Sequence, residues 1–354
     1  MKEKFYRLTK ILKANAVWNM ILGQRDNGKS YAVKEQCIKD AWNNKLMVYL
    51  RRWDIDIKRS KVERYFQDMQ NVIKRVTKGK CDCITYFSES LYFSRTNEKG
   101  IAERISIAGY TVGLSGQSHD KSINFPDAYN IIFEEFVTDD VYLDNESELL
   151  FNIVSTIKRR HTVRVWLIGN TISRLCPYYS EWELTNIPHQ KVDTIEVYEK
   201  IVGTDIITGE NRIVRVAVEL CDEITENDIF FGESADTVTS GKWNSKKMPH
   251  LPLPYNDYKS LYKVVIKKYN MEYMIEVLKT NIYVLYVHPN TDKKFTGRIL
   301  QNAYDPHPAT TQYLTELTKG DIMIKDLLKN NKICFSDDLT GTEFYTLYKG
   351  GEII

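Results

Sequence analysis

The chain has 354 residues, enough for two domains or for one large domain with an appendage. Its 43% hydrophobic and 27% charged residues are ordinary for a globular fold in water, and no run of about 18 apolar residues marks a membrane span. A net charge of +2 excludes a composition that attracts polyanions as a whole, so any nucleic-acid contact has to come from local basic patches.

Residues 17–22 (VWNMIL) are a short apolar run ending at a glycine loop and predict a buried parallel strand. In 30–43, Val33, Cys37, Ile38, Ala41 and Trp42 share one helical stripe, and 46–50 (LMVYL) predicts a second buried strand. Residues 58–76 carry Val62, Phe66, Met69, Ile73 and Val76 at spacings of three and four, the pattern of one amphipathic helix. The stretch 80–116 is strand-rich, with alternation in 83–87 and 104–108. Another buried strand, 129–133 (YNIIF), ends on two glutamates; 146–157 reads as a helix and 163–169 (VRVWLIG) as a strand ending at Asn170. Strands alternating with helices predict an α/β fold with a mainly parallel central sheet.

Beyond about residue 192 the pattern changes. Residues 199–250 are polar and hold Gly203, Gly209, Gly232 and Gly241, as a linker or small lid would. Then 261–266, 271–278 and 281–288 follow with turn-length connections, an antiparallel meander in a smaller α+β domain. The expected divisions are 1–195, 196–250 and 251–354. Six scattered cysteines, with Cys81 and Cys83 the one close pair and no second pair at zinc spacing, predict reduced thiols.

Gly23, Gln24, Arg25, Asp26, Asn27, Gly28, Lys29 and Ser30 match G-x-x-x-x-G-K-[ST] between a predicted strand and a predicted helix, the context this motif requires. The glycines let backbone N–H groups turn inward around phosphate oxygens. Lys29 reaches the β- and γ-phosphates of ATP, and Ser30 offers its hydroxyl to Mg²⁺. Glu134 and Glu135 end the 129–133 strand: Glu134 is the candidate acid on the metal side, Glu135 the candidate general base for the attacking water. A strand running out into an acidic loop is the alternative. Asn170 either senses the γ-phosphate or forms a turn. The run Lys158, Arg159 and Arg160 suits a cation reaching a neighbouring subunit's ATP, or is plain surface. Arg51 and Arg52 follow the second strand and are candidates for contact with phosphate, a neighbour or DNA, as is Lys121 in the loop 116–124.

Together these residues resemble the DNA-packaging motor ATPase of phi-29-like tailed phages. The matching stretches are Ile21 through Ala32, including Tyr31, then Tyr49-Leu50-Arg51-Arg52, Ile131 through Phe136, the basic run before Val163, Asn170 and Pro177-Tyr178-Tyr179. Order and spacing agree to about residue 195, with an echo at 227–232. The resemblance implies a P-loop NTPase fold, a C-terminal domain like an RNase H-type nuclease without its active site, and ATP with Mg²⁺ as cofactors. It implies a homo-oligomer, a pentameric ring, at the portal of an empty procapsid in the host cytoplasm, translocating double-stranded DNA with no membrane. A structural packaging RNA belongs to the same partner set. Here Glu134 replaces the family's usual Asp, and Lys158 falls where its arginine finger would, with Arg160 at a second basic position. Two other functions stay open: a large terminase with an active nuclease domain, and a non-catalytic nucleotide-bound scaffold. Against the first, 261–266 carries no carboxylate where a two-metal nuclease needs one.

Overall fold

A computed structural model describes residues 5–116, 124–138, 141–159, 162–204, 208–221, 243, 245–268, 271–292, 295, 298–300 and 318–349. The chain forms two compact units: Met1–Thr171 with His189–Lys242, and Ile172–Pro188 with Trp243–Ile354.

The first unit runs α1 (Thr9–Lys13), β1 (Trp18–Gly23), α2 (Lys29–Trp42), β2 (Leu46–Arg51), α3 (Arg59–Tyr65) and α4 (Gln70–Val76). It continues with β3 (Cys83–Phe87), β4 (Ser90–Thr96), β5 (Ala102–Gly113), β6 (Ala128–Glu134), α5 (Glu146–Lys158), β7 (Arg164–Asn170), β8 (Thr194–Thr204) and β9 (Asn211–Leu220). The strands make one sheet in the order β3-β4-β5-β2-β6-β7-β1-β9-β8. From β5 to β9 every pairing is parallel, and only the outer pairs β3/β4, β4/β5 and β8/β9 are antiparallel. The apolar runs predicted as buried strands are β1, β2, β6 and β7, which occupy the middle of the sheet, as strands covered on both faces do. The stripe on α2 is buried through Val33, Cys37, Ile38 and Ala41, with Trp42 packed at its margin.

Two expectations change. The helix expected over 58–76 is two, α3 and α4, separated by a 3₁₀ turn at Gln67–Met69. The turn keeps both Phe66 and Met69 in the core, and no Gly or Pro announces it. The linker expected from 196 holds β8 and β9, so the first unit does not end at 195. The polar look of this stretch comes from exposed positions in β8 and the first half of β9, whereas Ala217, Val218 and Leu220 are buried beside β1. The echo at 227–232 lies outside the described residues.

The second unit contains α6 (Pro177–Glu181), β10 (Lys259–Lys268), β11 (Met271–Lys279), β12 (Tyr283–Pro289), β13 (Arg298–Leu300), α7 (Lys319–Lys329), β14 (Ile333–Phe335) and α8 (Asp338–Lys349). The expected meander is β10-β11-β12, and short parallel strands extend it at both edges, giving β13-β10-β11-β12-β14. Val264, Tyr273, Ile275, Leu285 and Val287 on one face pack with Ile324, Leu327 and Phe344 of α7 and α8. Residues 172–188 belong here through Leu175 in this core and Arg174, which makes a bidentate pair with buried Glu343 at 2.6 and 2.7 Å. Lys263 and Lys267 are paired with Glu276 and Glu272.

Candidate functional site

Ligands of open parallel sheets bind outside the C-terminal ends of the strands. That edge of the first unit brings together residues far apart in sequence. Gly23 at the end of β1 is in register with Asn170 at the end of β7, and Glu134 ends β6 on the other side of β7. Gly28 has φ 89°, in the left-handed region where a side chain is disfavoured, and leads directly into α2.

Inside the loop, buried Lys29 donates from Nζ to Gly23 O (3.2 Å), Gln24 O, Asn27 Oδ1 (3.2 Å) and Asn170 Oδ1 (3.3 Å). These acceptors are all neutral dipoles. Burial pushes the ammonium down to about 8, against the raising influence of Cys221, Glu134 and Asp26. A cation held this way is matched better by phosphate oxygens than by the loop's own carbonyls, so the donor set fits a triphosphate. Gln24 and Asn27 are buried, while Arg25, Asp26 and Tyr31 face outward.

Glu134 is buried and accepts from Tyr65 Oη at 2.6 Å. Burial pushes its carboxyl above the ordinary value, and hydrogen bonds from Tyr65 and Ser30 pull the other way. A hydroxyl and a carboxylate side by side at the loop fit Mg²⁺, which keeps several waters and is held by one or two protein oxygens together with substrate phosphates. Tyr65 carried no signal in the sequence, because α3 reads as a generic amphipathic helix.

Glu135 differs from its neighbour. Its φ is 57°, an unusual left-handed backbone for a glutamate, and its side chain is 66% exposed. Arg51 Nη2 donates to Glu135 Oε2 at 2.7 Å. Arg51 is therefore engaged within its own chain.

Arg52 corrects an expectation. It was expected at a DNA or neighbour contact, but its side chain is buried in a bidentate pair with Glu146, Nε to Oε2 at 2.6 Å and Nη2 to Oε1 at 3.0 Å. It also donates to the carbonyls of Glu135 (3.1 Å) and Phe136 (2.8 Å), fixing the turn after β6. Its partner lies 94 residues away, and no local pattern pairs them. Gly169 completes the turn's seat: a Cβ there would meet Phe136 Cε1 at 2.9 Å.

Lys158 and Arg159 are exposed at the end of α5. The chain then enters β7 at Arg164, and β7 needs about 20 Å to reach Asn170. Lys158 and Arg159 thus sit at the strand-entry side, away from their own phosphate loop. Arg160 and Lys121 lie outside the described residues. No disulfide joins the six cysteines, and among the described residues no helix is long and apolar enough to cross a membrane.

The chain is similar to known proteins in sequence and in fold. The DNA packaging proteins of Bacillus phages PZA and phi29 are each 27% identical over 186 residues, covering 50% of this chain and 50% of each relative. The match thus spans about half the length of those curated relatives. The solved bacteriophage Phi-29 viral genome packaging motor assembly superposes with a TM-score of 0.60 over 98% of this chain and 99% of that one; at 20% identity the likeness is one of fold. Residues 1–207 match the family of podovirus DNA encapsidation proteins (Gp16), more than half of the chain, and the protein belongs to that family.

Proposed function

We propose that the protein is the ATP-hydrolysing subunit of a ring-shaped motor that drives double-stranded viral DNA into a preformed capsid. The observation that carries this reading is the pairing of unlike carboxylates at one loop. Glu134 is buried against Ser30 and Tyr65, while Glu135 next to it is exposed on a turn locked by Arg52. One is suited to hold, the other to take a proton.

In this reading the loop N–H groups and Lys29 bind the phosphates of ATP. Ser30 and Glu134 would hold Mg²⁺, which neutralises charge on the β- and γ-phosphates. Glu135 accepts a proton from the water that attacks the γ-phosphorus, the bond to the β-γ bridging oxygen breaks, and ADP and phosphate result. Asn170, beside Lys29, orients the γ-phosphate or that water. Lys158 or Arg159, remote from their own loop, or Arg160 completes the site of a neighbouring copy. A closed ring, pentameric in the resemblance, follows from such a head-to-tail contact. It acts in the host cytoplasm at the portal of a procapsid, with a packaging RNA as a further partner. The second unit is proposed as a docking module without nuclease activity. Its Glu276 is occupied by Tyr255, Lys263 and His288, and β10 contributes no carboxylate.

The ring is tested by measuring DNA-dependent ATP turnover per chain against protein concentration, then by mixing two inactive variants. Glu135→Gln chains and chains with Lys158, Arg159 and Arg160 all changed to Ala should recover activity together, since some mixed interfaces hold one intact site. Turnover independent of concentration, with no recovery on mixing, would sink the shared-site reading.

A further inference from the structure

Tyr65 is the last residue of α3, and its hydroxyl donates to Glu134 Oε1 at 2.6 Å at the end of β6. Its ring is held by several neighbours. It stacks on Tyr49 of β2, with centroids 4.5 Å apart and 26° between the planes, and meets Phe66 edge-on at 4.9 Å. Lys34 Nζ lies 4.6 Å from the ring centroid, donates to the Tyr65 carbonyl at 2.8 Å and is paired with Asp68 at 2.7 Å. Lys34 is buried and stands one turn beyond Ser30 on α2. The helix that carries the metal-side hydroxyl thus holds the tyrosine that holds the metal-side carboxylate.

Packing alone does not explain a tyrosine here. A phenylalanine would make the same stack and edge contact, whereas the hydroxyl adds a polar group that has to be satisfied. What the hydroxyl does is orient an acceptor. A glutamate has one more rotatable bond than an aspartate, and its carboxylate can give a metal one oxygen or two. Ca²⁺ takes either, in a flexible shell of about six to eight oxygens, whereas Mg²⁺ demands near-octahedral geometry.

We propose that Tyr65 is a positioning residue for the Mg²⁺ of the bound nucleotide. By engaging Oε1 it makes Glu134 a ligand through Oε2 alone, beside Ser30, and so sets the preference of the site for Mg²⁺ over Ca²⁺. The proposal rests on the reading of Ser30 and Glu134 as the metal side and extends it to a residue 69 positions away.

The test uses the full chain and calorimetric titration with the non-hydrolysable ATP analogue AMP-PNP in Mg²⁺, in Ca²⁺ and in EDTA. Tyr65→Phe keeps the ring and loses only the hydroxyl. It should bind the analogue in EDTA as wild type does, while the tightening given by Mg²⁺ falls by about 10-fold or more, the usual effect of losing an outer partner of a metal ligand. The tightening given by Ca²⁺ should fall less, so the ratio of the two drops. Lys34→Met, which loosens the tyrosine without altering it, should move the Mg²⁺ tightening in the same direction. Unchanged Mg²⁺ tightening in Tyr65→Phe overturns the proposal, as does weakening by the same factor in all three conditions, the mark of a merely structural role. Glu134→Gln separates the two ideas: it should remove most of the Mg²⁺ tightening, and if it leaves all of it, the metal-side reading fails along with this one.

Discussion

The turn that presents Glu135 hangs on one buried ion pair, so breaking that pair should cost both stability and turnover, and in separable ways. Arg52→Met leaves the Glu146 carboxylate with no exposed side-chain surface and no guanidinium. Removing one partner of a buried pair costs about 3–5 kcal/mol, because the remaining charge stays buried and unpaired. Glu146→Leu should cost a similar amount by removing the counter-ion of Arg52. The double variant Arg52→Met/Glu146→Leu should recover most of the loss, to within about 2 kcal/mol of wild type, since apolar replacements of similar volume are often neutral. Turnover should not recover with it. The guanidinium that donates to the Glu135 and Phe136 carbonyls is then gone, and a base misplaced by about 1 Å costs on the order of 100-fold. Urea titrations followed by tryptophan fluorescence give the stabilities, and steady-state hydrolysis gives the turnover. Single variants within about 1 kcal/mol of wild type, or a double variant as costly as the sum of the singles, would refute the reasoning.

Lys29, with its ammonium pushed down to about 8, is partly neutral in the empty protein at pH 8–9, whereas triphosphate favours the charged form. ATP binding should therefore take up roughly half a proton at pH 8, read as dependence of the calorimetric enthalpy on buffer ionisation and absent in Lys29→Met. In the empty protein the same depression makes the stability contribution of Lys29 full only above its ordinary value of 10.5, and lost as pH falls through about 8. Glu276 in the second unit has burial raising its carboxyl, but hydrogen bonds from His288, Tyr255 and Lys263 outweigh that and hold it at about 2. Its stabilisation is present above the ordinary 4.5 and lost as pH falls towards 2, so wild type should lose about 3 kcal/mol more than Glu276→Gln on acidification. Equal acid sensitivity of the two proteins would contradict this. Gly28→Ala, at φ 89°, should cost more than 1 kcal/mol in thermal unfolding.

The sequence exposes what local chemistry decides and hides what long-range pairing decides. The run VWNMIL, the eight-residue loop and the Glu134–Glu135 strand end are legible because each combines a burial pattern with a functional residue at its tip. The meander of β10, β11 and β12 is legible from alternation and turn lengths. β8 and β9 are not, because an edge strand and the exposed first half of its neighbour look like linker. The helix α7 had a local signal, Thr318 and Asp321 in a reciprocal cap, that sequence reading left unused. Arg52 reads like Arg51, since only the fold puts Glu146 beside one and Glu135 beside the other. Tyr65 and the Tyr6–Glu219 bond join the site across 69 and 213 residues, separations at which no motif operates.

The most direct test of the account compares ATP binding and hydrolysis in wild type, Glu135→Gln and Lys29→Ala. Glu135→Gln keeps the size of the side chain and loses its proton acceptor. It should bind ATP with affinity close to wild type while turnover falls by about 100- to 10,000-fold, the usual contribution of a general base. Lys29→Ala should lose binding itself. Hydrolysis by Glu135→Gln at the wild-type rate would contradict the assignment of roles at the paired carboxylates.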